Sequence, residues 1–324
     1  MTFEYGEFFR IVITVVSVAL FVGLNGVVLV YVERKVAGHI QGRPGPFEVG
    51  PHGILQTVAD ALKLMSKQRF RPDGADRLLF WLAPITAFVP VVPLFMTIPF
   101  GPTLTGMEVN LGLLLILAFS GINVLALCMA GWGSNNHWAL MGAARSVAQS
   151  LGYETPLFMS LLAVAFMTGS LNLTEMVAQQ GDWPWQWHMV SQPLAFLIFF
   201  ICSVAETNRA PFDLPEAESE LTAGYHTEYS GMGFGLFFLA EYVDMVIVSS
   251  VATAVFLGGW KGPFLPGFWW FLLKMYGLIF LTMWLRWTFP RLRFDQLLNV
   301  NWKWLLPLSL INLMATAFFV KVMP

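Results

Sequence analysis

Long apolar stretches alternate with short polar segments along the whole chain. An α-helix needs about 20 mostly apolar residues to cross the hydrocarbon core of a bilayer, because each residue rises about 1.5 Å. The stretches therefore predict an all-α fold, a polytopic membrane bundle of about eight transmembrane helices. They lie at Ile11–Val32, Leu79–Phe100, Leu111–Gly131, Pro156–Leu173, Met189–Ala205, Gly235–Leu257, Phe268–Leu285 and Trp304–Val320. A ninth, shorter span between Val49 and Met65 is the alternative count.

The second apolar stretch is rich in proline. Proline removes a backbone hydrogen bond and clashes with the preceding turn, so a helix here is predicted to be kinked or to begin and end raggedly. The residues concerned are Pro84, Pro90, Pro93 and Pro99.

The polar segment between the first two stretches has a helical pattern of its own. Its apolar side chains recur at spacings of three and four, and its polar ones fall on the opposite side. The apolar set is Ile54, Leu55, Val58, Leu62 and Met65, and the polar set is Gln56, Asp60, Lys63 and Lys67. The pattern predicts an amphipathic helix in the membrane interface, with its apolar face in lipid or against the bundle. One interpretation is a surface helix with a solvated polar face; the other is that Asp60, with Glu33, Arg34 and Arg43, helps to line a polar pocket.

Composition excludes a soluble globule and several kinds of site. Apolar residues make up 56% of the 324 residues and charged ones only 12%, and the mean hydropathy is +0.64; soluble domains carry about 25% charged residues. The net charge of −2 offers no basic surface to nucleic acid. The only two cysteines, Cys128 and Cys202, cannot supply the four ligands of an iron–sulfur cluster. No two histidines have metal-ligand spacing, so this chain is predicted to bind no cofactor itself.

Charge is concentrated in the loops on one side of the predicted bundle. Fourteen of the 18 Lys and Arg residues follow the odd-numbered spans, which predicts that these loops face the cytoplasm and that both termini lie on the opposite side. Thirteen of the 20 acids lie in the same loops, although membrane insertion does not require them. The prediction is a single integral membrane domain over 1–324 with a cytoplasmic loop at 33–78, an acidic cytoplasmic loop at 206–234 and a chemically bland opposite side.

The acidic loop combines a helix start with unexplained carboxylates. Asp213 and Glu216 form a capping-box pattern around Pro215, which predicts a short helix. Capping does not account for Glu206, Glu218, Glu220 and Glu228. Clustered carboxylates near a membrane raise one another's pKa and titrate as a group, as a proton relay requires. A solvated acidic loop is the alternative.

The sixth span carries two acids one helical turn apart, Glu241 and Asp244. An ionised carboxylate inside a membrane is costly and marks a candidate proton or ion path; a position near the membrane edge is the alternative. Glu154, at the head of the fourth span, and Glu206, at the tail of the fifth, could extend the same series of carboxylates.

Several motifs together resemble one family, that of the H subunit of NADH:quinone oxidoreductase, which is respiratory complex I. The most specific motif is AETNRAPFDLPEAE at 205–218 with its continuation to Gly231. The others occur in the family's order: ERK at 33–35, GRPGP at 42–46, DALK at 60–63, GWGSNN at 131–136, AQSLGYE at 148–154 and GLFFLAEY at 235–242. The chain departs from the family pattern at Gln68, where a glutamate is usual, and at His137, where a lysine is usual.

The resemblance implies roles for individual residues. It implies a helical membrane subunit at the junction with the peripheral arm, forming much of the quinone-access channel. The quinone chamber, its mouth and the acidic loop beside it would comprise Glu33, Arg34, Arg43, Asp60, Arg209, Asp213, Glu216, Glu218, Glu220 and Glu228. A proton path into the membrane arm would use Glu154, Glu206 and Glu241, to which the sequence adds Asp244.

The resemblance also implies partners. Quinone would be the substrate, while NADH, FMN and iron–sulfur clusters would belong to partner subunits of a peripheral redox arm. Antiporter-like membrane subunits would be further partners, in a bacterial inner membrane. Two other interpretations stay open: a related membrane subunit of an energy-converting hydrogenase-type complex, which its co-purifying subunits would identify, and a proton-coupled transporter, which would work alone.

Overall fold

The computed structural model describes residues 5–214 and 221–322, and within these residues all regular secondary structure is helical. The described residues form thirteen α-helices, numbered in chain order. They are α1 (Tyr5–Ile40), α2 (Gln56–Ser66), α3 (Arg77–Phe88), α4 (Val91–Thr97), α5 (Gly112–Gly133), α6 (His137–Thr168), α7 (Leu173–Gln179), α8 (His188–Ser191), α9 (Pro193–Glu206), α10 (Met232–Phe256), α11 (Gly267–Thr288), α12 (Phe294–Val300) and α13 (Leu306–Val322). A π-helical segment, Asn301–Leu305, joins the last two into one span.

The prediction of a polytopic helical bundle is confirmed. Seven helical segments of the described chain are long and apolar enough to cross a membrane. An eighth, α9, has 14 residues and is only about 21 Å long. The hydrocarbon core is about 30 Å thick, so α9 alone is too short to cross it; Glu206 is its last residue.

The predicted kink in the second span is also confirmed. The span is built from α3 and α4, which are separated by Val89 and Pro90. At its start, the Asp76 side chain accepts hydrogen bonds from the backbone N–H groups of Leu78 and Leu79 at 2.9 and 3.2 Å. This cap satisfies two N–H groups that a helix start leaves without intrahelical partners.

The segment after α1 contains the predicted amphipathic helix and no ninth span. Helix α2 has 11 residues, about 16 Å, which is too short to cross a bilayer, so the alternative count of nine is wrong. The apolar side chains Val58, Leu62 and Met65 are 40%, 62% and 66% exposed. An exposed apolar face on a membrane protein is suited to lipid, as predicted for an interfacial helix.

The bundle has two distinct ends. The loop end carries the segments at 41–76, 207–214 and 221–231, and the opposite end carries those at 98–111, 169–192 and 257–266. Helix α10 is the most deeply buried of the long helices, so its polar side chains lie within the apolar core. The predicted short helix that Asp213 would cap falls on residues 215–220, outside the described residues.

Candidate functional site

A buried ion cluster lies at the loop end. Glu33, on α1, is only 4% exposed. The Nη1 group of Arg209 donates to both Glu33 carboxylate oxygens at 3.1 and 3.0 Å, and Arg286, from the end of α11, donates to Oε1 as well. The Arg209 guanidinium also lies 4.2 Å from the ring centre of Tyr242. Two cations therefore pair with a carboxylate that has little access to solvent, and the Tyr242 ring covers one of these cations, Arg209.

The loop that carries Arg209 is held in place by a buried amide. Gln149, on α6, is completely buried, and its side-chain NH₂ donates to the carbonyl oxygens of Ala205 at 2.7 Å and Phe212 at 2.9 Å. Asp213 in the same loop accepts a hydrogen bond from Arg291 at 2.9 Å. The chain after α9 is thus fixed on both sides of Arg209.

A cavity among α5, α9 and α10 brings predicted carboxylates together. Glu206 and Asp244 both line it, with Ser120 and Asn123. Asn123 donates to Asp244 at 2.6 Å, and Ser120 donates to Glu154 at 3.3 Å. Glu154 and Asp244 each lie close enough to Glu206 to interact with it electrostatically. We call the space lined by Glu206 and Asp244 the carboxylate cavity.

A smaller pocket adjoins the carboxylate cavity and adds the fourth carboxylate. Glu241 lines it, and it shares Glu206 and Asp244 with the larger space. The Tyr225 hydroxyl donates to Glu241 at 3.0 Å. Tyr225 can approach α6 because Gly142 there faces Gly224; a Cβ on Gly142 would lie 2.8 Å from the Gly224 Cα.

The larger space has room for ordered water: the volume open to water centres is about 60 Å³ there and about 10 Å³ in the smaller pocket. One ordered water needs about 10–15 Å³ of such volume and two to four polar partners. Carboxylates, hydroxyls and amides in the lining supply such partners. The arrangement can therefore pass protons between carboxylates through bound water.

A second group of predicted residues forms a pocket at the surface of the loop end. The pocket is lined by Arg34, Arg43, Glu48 and Gln56, and we call it the surface pocket. Beside it, Arg34 pairs with Asp60 at 2.5 Å, and the two side chains are 41% and 34% exposed. Burial raises the pKa of the Asp60 carboxyl, but hydrogen bonds from Arg34 and Gln56 and the charges of Arg34 and Lys63 outweigh it. The pKa is held below its ordinary value, so Asp60 is ionised at neutral pH.

The structure thus divides the predicted chamber residues. Arg34, Arg43 and Asp60 lie together at the surface pocket, as the pocket interpretation requires. Glu33, which that interpretation included, does not line the pocket but turns inward to Arg209. Glu228 accepts a hydrogen bond from Asn136 at 2.6 Å. Glu216, Glu218 and Glu220 lie outside the described residues.

Sequence reasoning missed several side chains that complete these clusters. The sequence shows Arg286 only as a charge at the end of a span, and its pairing with Glu33, 253 residues away, has no local signal. Gln149 and Asn123 gave no signal beyond being polar in apolar surroundings. The two departures from the family pattern, Gln68 and His137, are both exposed at the loop end.

Comparisons with known proteins agree on one family. A family model described as NADH dehydrogenase matches residues 12–317. The H subunit of NADH-quinone oxidoreductase from Desulfotalea psychrophila is 50% identical over 313 residues, covering 93% of this chain and 94% of the relative. The H subunit of the same enzyme from Dehalococcoides mccartyi is 48% identical over 304 residues, covering 94% and 85%. The one from Carboxydothermus hydrogenoformans is 48% identical over 316 residues, covering 96% and 89%.

Proposed function

Since this chain belongs to the NADH dehydrogenase family, as a homologue of the H subunit of NADH-quinone oxidoreductase, we propose that it forms the quinone-access path of such a complex and couples quinone reduction to proton translocation. The observation that carries the proposal is the position of Arg209. This guanidinium bonds Glu33 at the loop end and interacts electrostatically with Glu241. Glu241 in turn shares a pocket with Glu206 and Asp244. A charge change at the loop end can therefore be felt by the carboxylates in the membrane.

The proposed mechanism has three stages. A quinone enters from the lipid beside the apolar face of α2, and its headgroup meets the Arg34–Asp60 pair at the surface pocket. Its reduction consumes protons and changes the local charge around Glu33 and Arg209, which alters the protonation of nearby carboxylates. Glu241, Glu206, Asp244 and Glu154 then pass that change toward partner subunits.

Electrons are proposed to come from other subunits. The chain has two cysteines, Cys128 and Cys202, too few to hold an iron–sulfur cluster with four cysteine ligands. NADH oxidation, FMN and iron–sulfur clusters are therefore assigned to a peripheral redox arm, and pumping to antiporter-like membrane partners. The proposed location is a bacterial inner membrane with the loop end in the cytoplasm and both termini outside. Mild-detergent purification and mass spectrometry of the co-purifying subunits would distinguish this complex from a hydrogenase-type assembly or a transporter that works alone.

Substitutions at the surface pocket test the quinone site. Arg34→Ala and Asp60→Asn each remove one member of a partly exposed ion pair, and ion pairs near the surface contribute little to stability. We expect the assembled complex to lose most of its quinone reductase activity while electron transfer from NADH to a soluble artificial acceptor stays normal. Both activities are measured on the same purified complex.

The matched control for this test is Lys303→Ala, which removes an exposed charge from the π-helical segment between α12 and α13. It should leave both activities at the parent level. If quinone reduction and artificial-acceptor reduction fell together, with loss of assembly, Arg34 and Asp60 would be structural and the quinone site would lie elsewhere.

A further inference from the structure

The opposite end of the bundle is not bland, contrary to the sequence-based expectation. The last carbonyl groups of α10, which a helix leaves without intrahelical partners, are satisfied by side chains from other segments. Gln180 donates to the carbonyl oxygens of Ala254 and Val255, each at 3.1 Å. The ring of His188 is hydrogen-bonded to the Val255 carbonyl at 2.9 Å. The end of α10 is therefore held by a built polar network.

The centre of this network is a buried lysine. Lys274, on α11, is 5% exposed, and its ammonium donates to the carbonyl oxygens of Leu257 at 2.6 Å, Gly259 at 3.1 Å and Lys261 at 2.6 Å. Three acceptors use all three donors of an ammonium group. The same ammonium lies 4.1 Å from the ring centre of Trp187. Backbone dipoles and an aromatic face thus take the place of a carboxylate counter-ion.

The lysine lies in series with an aromatic layer and the carboxylate cavity. Phe199 and Val251 form part of the cavity lining nearest the opposite end. Phe256 packs against Phe199 with ring centres 5.3 Å apart and against Phe196 at 5.5 Å. The next residue, Leu257, is the one whose carbonyl binds the Lys274 ammonium. A path from the cavity along α10 to the opposite end meets first the aromatic rings and then the Lys274 ammonium group.

We propose that Phe256 and Lys274 form a two-layer seal that closes the carboxylate cavity toward the opposite side of the membrane. A hydrophobic constriction excludes water, and a buried ammonium group repels protons and other cations. Removing the ammonium would leave carbonyl groups that only water could satisfy, and that water would enter beside Phe256. The inference rests on the proposed function, because a seal is needed only where the cavity carries protons from one side.

Passive proton leak is the property that a seal controls. The complete purified complex is reconstituted in liposomes with a pH-sensitive dye inside, and a pH gradient is imposed without NADH or quinone. Lys274→Met keeps the length of the side chain but removes the charge and the donors, and should speed the decay of the gradient several-fold. Lys274→Arg keeps the charge and should stay near the parent rate. Lys321→Met removes an exposed charge elsewhere at the same end and should also match the parent.

Two further variants make the result decisive. Phe256→Ala opens the aromatic layer without changing any charge, and tests the seal even if Lys274→Met fails to assemble; it too should leak. Adding Glu206→Gln to the leaking variant should slow the leak, because the path would run through the carboxylate cavity. Parent-like leak in both single variants at matched assembly would overturn the seal. So would a leak that Glu206→Gln does not reduce.

The two proposals fail separately. The leak assay uses no substrate, so its outcome does not depend on whether Arg34 and Asp60 bind quinone. Normal quinone reduction in Arg34→Ala and Asp60→Asn would count against the proposed quinone site and leave the seal standing. A tight membrane in Lys274→Met and Phe256→Ala would count against the seal and leave the quinone site standing.

Discussion

Replacing Glu33 with glutamine is expected to reduce the stability of the assembled complex more than any other single change at the loop end. The substitution keeps the shape of the side chain but leaves Arg209 and Arg286 without their shared carboxylate. Breaking a buried ion pair by removing one partner costs about 3–5 kcal/mol. We expect a lower melting temperature of the purified complex and less of this chain in the assembled fraction on native gels.

A charge-balancing second substitution separates electrostatics from packing in this prediction. Adding Arg286→Met to Glu33→Gln removes one of the two unpaired cations and should restore part of the lost stability. Glu33→Asp keeps the charge and should be milder than Glu33→Gln. If Glu33→Gln melted at the parent temperature, the buried ion cluster would not be holding α1, α11 and the loop after α9 together.

Replacing Glu241 with glutamine should have the largest effect on turnover. Glutamine can still accept the hydrogen bond from Tyr225, so the complex should assemble, but the side chain can no longer take up or release a proton. If Glu241 relays protonation changes, quinone reduction and proton pumping should slow together by about tenfold, which corresponds to about 1.4 kcal/mol in the barrier. Glu241→Asp should keep part of the activity.

The control for Glu241→Gln is Glu108→Gln, a change of the same chemistry at an exposed residue of the opposite end. It should not alter either rate. Tyr225→Phe removes the hydrogen-bond donor but leaves the carboxylate able to titrate, and should therefore slow turnover less than Glu241→Gln. Parent-level rates and pumping in Glu241→Gln, measured at matched assembly, would exclude the relay role for this residue.

The sequence by itself determined the elements whose cause is local. The lengths of the apolar stretches, compared with the thickness of a bilayer, predicted the membrane bundle. The 3.6-residue period of apolar side chains predicted the amphipathic helix α2. The second span is interrupted at Pro90, because proline has no backbone N–H to donate to a helix, whatever its tertiary surroundings. The family could also be identified from motifs in order along the chain. The spacing of Glu241 and Asp244 already put both acids inside one apolar helix.

Only the tertiary structure decided which polar groups meet. Glu33 and Arg34 are neighbours in sequence, so on α1 they point about 100° apart, and packing decides which one is buried. The partners of Glu33 lie 176 and 253 residues away, and no local pattern encodes such a pairing. The same holds for Lys274, whose role depends on where α10 ends beside it. Local periodicity determines the helices and which face of each is apolar. The free-energy cost of burying a charge depends on its partners, and these come from distant segments that only the folded bundle brings within hydrogen-bonding distance.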